Sequence, residues 1–158
     1  MDLAESLIEA WEINNRINLL LLERISDEGL ACTLSTRGGR DVARQFAHLH
    51  TQRLRWLEGK GYADLAAGIA TFASKEQPDR QQLIDAFEAS GEAMSRCLGE
   101  IIDGDRPLKR QKKGLVVSLA YFVAHESHHR GSVLLTLKQC GHPLDKKTQY
   151  AIWDWHRR

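Results

Sequence analysis

The stretch Y-F-V-A-H-E-S-H-H-R-G, residues 121–131, places three histidines and a glutamate inside a segment that otherwise reads as a buried helix. At about 100° per residue, His129 falls about 40° from His125, and Leu115, Ser118, Phe122, Val133, Thr136 and Cys140 lie within about 80° of it. His125 and His129 are then i, i+4 neighbours, one turn apart on the stripe expected to face the interior. His128 points about 100° away from His129, out from the edge. Two imidazoles on adjacent turns make a two-point clamp for a metal ion, so a third ligand has to come from elsewhere in the chain.

Outward from this segment, the helical pattern runs from about residue 115 to 139 and stops at Gly141, with Pro143 just beyond. Upstream, Leu3, Leu7, Ile8, Trp11, Ile17, Leu21, Leu22 and Ile25 recur at helical spacing and predict a first helix over about 2–26. Asn14, Asn15 and Asn18 interrupt its apolar side, as exposed or capping residues or as amides lining a polar pocket. Residues 26–39 contain Asp27, Gly29, Gly38 and Gly39, which is loop chemistry. A second helix is expected from Arg40 or Asp41 to Glu58, closed by Gly59 and Gly61. After a weak helical turn around 63–70, Pro78 and Asp79 open a third helix that runs to about Ile102. The basic run Lys109-Arg110-Gln111-Lys112-Lys113 reads as a solvated loop, since no aromatics interleave with it. A short tail helix over about 146–155 ends the chain. Trp153 and Trp155, two residues apart, cannot share its face, so one is expected inward and the other at the rim or on a partner subunit.

No alternating β-branched run and no internal repeat appears, and all three prolines fall in connections. Four long amphipathic helices predict an all-α four-helix bundle with a short C-terminal tail helix, as a single domain over residues 1–158. A length of 158 residues suffices to bury a core without staples, and 42% hydrophobic with 27% charged residues is ordinary globular composition. The formal net charge of +1 gives no electrostatic reason to expect nucleic acid or a charged membrane as partner. Cys32, Cys97 and Cys140 form no C-x-x-C pair, so neither a disulfide framework nor a cysteine-rich zinc site is expected, and a reducing compartment fits. The acidic N-terminus lacks the basic start of a signal peptide, and residues 17–22 are too short to span a bilayer. A soluble, cytoplasmic protein is expected.

His48, His50, His142 and His156 remain as candidates for the third ligand, the last two in an expected exposed loop and tail. Periodicity prefers His50, because Ala43, Phe46, Leu54 and Leu57 share its side of the second helix. His48 shares its side with Asp41, Arg44, Gln45, Gln52 and Arg55, a polar face of the kind a solvated cavity needs. The residues alone leave both open.

F-A-H-L in the second helix, an arginine-containing segment ending W-L, H-E-S-H-H-R-G, L-K-Q-C-G-H-P-L and a terminal I-W-D-W together resemble the DinB/YfiT-like superfamily. The resemblance covers nearly the whole chain and is most specific over residues 124–144; Ser132 stands where many members carry Gln. It implies a four-helix bundle, usually dimeric, with a metal held by one histidine of the second helix and two of the fourth. Carried over residue by residue, F-A-H places the first ligand at His48, and H-x-x-x-H places the others at His125 and His129.

Three neutral imidazoles leave coordination positions open, a catalytic pattern more than a structural one. The ligand set suits a divalent ion, with zinc or nickel first and iron or manganese as alternatives. Glu126 is a candidate for holding a metal ligand by a hydrogen bond or for accepting a proton, and an i, i+4 surface ion pair with Arg130 is its competing role. The resemblance implies a metal-dependent enzyme that presents a small thiol to an electrophile; Asn15, Asn18, Gln52 and Arg55 are, from their own chemistry as donors, candidates for the pocket wall. Metal-activated water for hydrolysis is an alternative, and so is a non-catalytic, stress-associated metal-binding homodimer. Residues 125–129 also match H-E-x-x-H of zinc peptidases literally, but no downstream histidine stands in the usual register and no flanking strand is predicted.

Overall fold

Aspartates start three of the four long helices in the computed structural model, which describes residues 2–109 and 112–157. Helix α1 (Leu3–Arg24) and α5 (Arg80–Ile102) each open on a capping box, Asp2 with Glu5 and Asp79 with Gln82. The side chain of Asp41 accepts from the Arg44 amide at the start of α3 (Val42–Lys60), and Gly61 closes that helix at φ 84°. Helix α6 (Leu115–Gln139) follows Gly114 and carries the three adjacent histidines. Shorter pieces fill the connections: α2 (Asp27–Leu30), α4 (Ala63–Ala66) and α7 (Lys146–Ala151). No strand occurs among the described residues.

The predicted all-α bundle is what the chain forms, with two local differences. Residues 27–30 of the expected loop make a turn of helix, because Ser26 caps it by accepting from the Gly29 amide. The tail helix ends at Ala151 rather than near 155, and Trp155–Arg157 forms a separate 3-10 turn. Trp155 packs against the core while Trp153 is 77% exposed, so the two indoles do part company. Within the basic run, Arg110 and Gln111 lie outside the described residues; Lys109, Lys112 and Lys113 are exposed.

Each long helix contributes to two apolar clusters, and the order in which it does so gives its direction. Helix α1 enters one cluster with Trp11 and the other with Ile17, Leu21 and Leu22. Helix α6 does likewise, with Leu119 and Phe122 before Val133 and Leu137. In α3 and α5 the order is reversed: Phe46 precedes Leu54 and Leu57, and Phe87 precedes Met94 and Leu98. Helices α1 and α6 therefore run one way and α3 and α5 the other, an up-down-down-up bundle whose parallel α3 and α5 need the long 61–79 crossover. Helix α3 packs on α5 and α6, and α1 does the same. At the α1–α5 seam, any side chain at Gly91 would strike Asn15, since a Cβ there would lie 2.2 Å from Asn15 Nδ2. The Gly91 carbonyl accepts from Trp11 Nε1 at 2.9 Å.

Between the two apolar clusters lies a polar layer. Arg53 and Glu126 are 0% and 1% exposed and are joined by two hydrogen bonds, Nε to Oε1 at 2.7 Å and Nη2 to Oε2 at 2.9 Å. Asn14 and Asn18 each donate Nδ2 to Glu126 Oε2 at 2.6 Å. Their own oxygens accept from Arg130 Nη1, at 2.8 and 3.1 Å, and Arg130 Nη2 donates to Ser127 Oγ at 2.7 Å. Arg53 completes its set through Nη1 to Asn15 Oδ1 at 2.7 Å and stacks on the Trp11 and Phe87 rings, 4.8 and 4.4 Å from their centroids. No helix among the described residues is long and apolar enough to cross a membrane.

Candidate metal centre

The α3–α6 contact sets the site, because it brings the polar side of α3 against the edge of α6. His48, Gln52 and Arg55, at i, i+4 and i+7, share that side of α3. The ring centroids of His48 and His125 are 5.7 Å apart, those of His48 and His129 5.1 Å, and those of His125 and His129 4.9 Å. One nitrogen of each imidazole lies within 4.8 Å of the others, and all three side chains are half-buried. The Tyr121 ring stacks on His125, 5.8 Å away and 6° from parallel, and the His128 ring meets His129 edge-on at 5.4 Å from the exposed side.

Electrostatics keep two of these imidazoles neutral. Burial, then the charges of Arg40, His125 and Arg55, push His48 down to about 4. Burial, with the neighbouring His125, His48 and His128, does the same to His129, also to about 4. A neutral imidazole offers a lone pair, which is the state a metal ligand requires. His129 Nδ1 is buried and has no hydrogen-bond partner among the described residues, as a nitrogen free for a ligand would be. The donor set thus fits a divalent cation of the borderline class.

His50 sits on the other side of α3. It is fully buried, donates Nε2 to the Ala70 carbonyl at 2.7 Å and meets the Phe72 ring at 5.5 Å. Periodicity identified the buried histidine correctly, but burial here means core packing and not approach to α6.

Glu126 calls for the main correction. It lies neither at the helix surface nor in the cleft, and its hydrogen-bonded ion-pair partner is Arg53 rather than Arg130. The most buried stripe of α6 runs through Phe122, Glu126, Arg130, Val133 and Leu137, about 100° around from the stripe set by His125. The histidines therefore occupy the shoulder of the helix, where a cleft begins. With four donors on its carboxylate, Glu126 is not placed to accept a proton in the cleft, which also removes the general base that the H-E-x-x-H peptidase reading needs.

The pocket candidates divide. Gln52 and Arg55 line a cavity of about 360 Å³ with Trp56, Lys60, Tyr121, Phe122 and His125. Asn18 does not reach it, being fully buried on Glu126, and Asn15 faces Arg53 and a separate groove at the α1–α5 seam. A second cavity of about 150 Å³ opens beside His48, lined by Arg40, Arg44, Thr51, Arg55 and Glu76 among others. Sequence reasoning passed over Arg40, which stands just before the Asp41 cap of α3, and the 72–76 segment, which reaches the site only through the α3–α5 crossover. It also passed over Arg53, whose charge is hidden in an apolar register. Tyr121 and Phe122 lay within the decisive stretch but read only as core.

Compared with known proteins, the model of the DinB family matches residues 1–155 of the chain. Among curated proteins and among solved structures, nothing matches.

Proposed function

The chain belongs to the DinB family, and on that premise we propose that it is a metal-dependent enzyme whose divalent cation is held by His48, His125 and His129. The observation that carries this reading is the convergence of three imidazole nitrogens within 4.8 Å from two helices, beside two cavities. Zinc or nickel suits the nitrogen set best, with iron or manganese as alternatives. A cation with three neutral ligands supplies positive charge that stabilises the ionised form of a small thiol, lowering a free pKa of about 8.5.

The reaction proposed is attack of that thiol's sulfur on an electrophilic carbon: a C–S bond forms, the thiol proton passes to solvent, and the electron pair displaced from the carbon departs with a leaving group or is protonated in an addition product. Trp56, Tyr121 and Phe122 form the apolar wall of the larger cavity, and Gln52 and Arg55 supply donors at its rim. None of the chain's own cysteines lines either cavity, and Cys97 is fully buried with its thiol pushed up to about 12, chiefly by burial. A nucleophile arriving with the cosubstrate is consistent with that placement. The test is a screen of metal-loaded protein with common cellular thiols, each paired with a generic electrophile. Metal-dependent conjugation is expected; ester or amide hydrolysis in its place would transfer the assignment to activated water, and neither would leave a binding protein.

The same reading includes a homodimer. Trp153, Tyr150 and Leu135 are 77%, 74% and 52% exposed, a set of large apolar side chains at the α6–α7 end. Light scattering at tens of micromolar should give twice the mass of the 17.9 kDa chain, and the monomer mass would count against it.

A further inference from the structure

The two cavities beside the triad differ in charge. Among the described residues, three guanidinium groups, Arg40, Arg44 and Arg55, stand around the smaller one against one carboxylate, Glu76. That carboxylate already accepts from the Ala73 amide at 2.8 Å. Arg44 donates Nη2 to the Ser74 carbonyl at 3.0 Å, but its buried Nε has no hydrogen-bond acceptor among the described residues. A buried donor left unmatched is costly, and a guanidinium fork matches a carboxylate through two parallel bonds. The chain as a whole carries a net charge of only +1, so this concentration of positive charge is local. Arg55 also lines the larger, aromatic-walled cavity and so joins the two.

We propose that the arginine-lined cavity beside His48 binds the carboxylate end of a small organic anion, whose uncharged part extends past Arg55 into the aromatic cavity beside His125. At about 150 Å³ the cavity is comparable to one that admits a benzene ring, so it seats a carboxylate and a few carbons rather than a whole cofactor. The substrate class of the site is thus a carboxylate-bearing molecule, either the thiol or its acceptor. This rests on the metal-centre reading for the chemistry that follows, but anion capture itself needs only the arginines.

Isothermal titration with succinate, and with its neutral diamide as control, separates the two ideas when run on the protein as isolated and after chelator dialysis. Succinate is expected to bind in both states, more weakly as salt rises, with the diamide at least about tenfold weaker. Arg40→Ala, at an exposed position, should weaken succinate about tenfold, and Arg44→Lys by a smaller factor because the charge stays while the fork is lost. Equal affinity for the diamide would overturn the proposal. So would succinate binding that vanishes on chelation or in His48→Ala yet survives Arg40→Ala, since the anion would then sit at the triad. If the protein holds no metal but binds succinate through the arginines, the metal reading fails and this one stands.

Discussion

Alanine at His48 is expected to remove stoichiometric metal binding, whereas alanine at His50 should leave it intact. Loss of hydrogen-bonded residues outside a metal's ligand set already costs roughly 10–100-fold in affinity, and loss of one of three ligands should cost more. Elemental analysis after dialysis reads the difference directly, with His125→Ala and His129→Ala expected to behave like His48→Ala. The His50 variant fails in another way. It strips the Ala70 carbonyl of its 2.7 Å donor and opens a void at a fully buried site, a destabilisation of about 2–4 kcal/mol. Full metal content in folded His48→Ala, together with its loss in folded His50→Ala, would reverse the assignment on α3. Acidity bears on the same measurement. Because His48 and His129 are held neutral down to about 4, proton competition from these two should begin near pH 4 rather than near 6.5.

The second large effect belongs to the polar layer. Glu126→Gln keeps the shape of the side chain and removes its charge, leaving the Arg53 guanidinium buried without a counter-ion. Breaking a buried pair from one side costs about 3–5 kcal/mol. For a chain of this length that lowers the melting temperature by roughly 6–20 °C. Arg53→Met should be comparable, because it abandons the carboxylate instead. Combining Arg53→Met with Glu126→Leu should recover part of the loss, since an apolar pair no longer has to desolvate two charges. Single variants within about 1 kcal/mol of the parent by urea unfolding would show that the layer contributes little.

The acid behaviour of this pair follows in sign. Burial opposes ionisation of Glu126 most strongly, yet Arg53, Arg130 and Asn14 together outweigh it and hold the carboxyl below its ordinary range. Its stabilisation is therefore fully present above the unfolded value of about 4.3 and is lost as pH falls from there through the folded value. His48 and His129 act in the same direction over a higher window. In the metal-free protein, each takes up a proton more readily unfolded than folded, so stability declines as pH drops from about 6.5 towards 4. The Glu126→Gln variant should retain the histidine-dependent decline and lose the step below it.

The bundle was legible in the sequence because helix periodicity, aspartate caps and glycine stops are local signals. Asp41, Asp79, Gly61 and Gly141 mark their boundaries through the first and last turns alone, where backbone groups have no intrahelical partner. The i, i+4 spacing of His125 and His129 was local in the same sense. The extra turn at 27–30 hinges on a single capping bond, from the Gly29 amide to Ser26, which composition does not resolve.

What the tertiary structure alone decided is direction, pairing and rotation. Hydrophobic spacing says that a helix has an inner face but not which neighbour covers it. The parallel run of α3 and α5, and with it the arrival of the 72–76 segment beside His48, was therefore not readable. Periodicity weighs a residue by its polarity, so it assigned the stripe of α6 to His125 and His129 and a surface ion pair to Glu126. In the folded chain the centre goes to the more polar Glu126, because Arg53, Asn14 and Asn18 from two other helices supply four donors to its carboxylate. A charge becomes a core residue only when its partners are in place, and those partners stand 73 to 112 positions away in the chain. The same rotation moves His125 and His129 to the shoulder of the helix, within reach of His48 and open to a ligand.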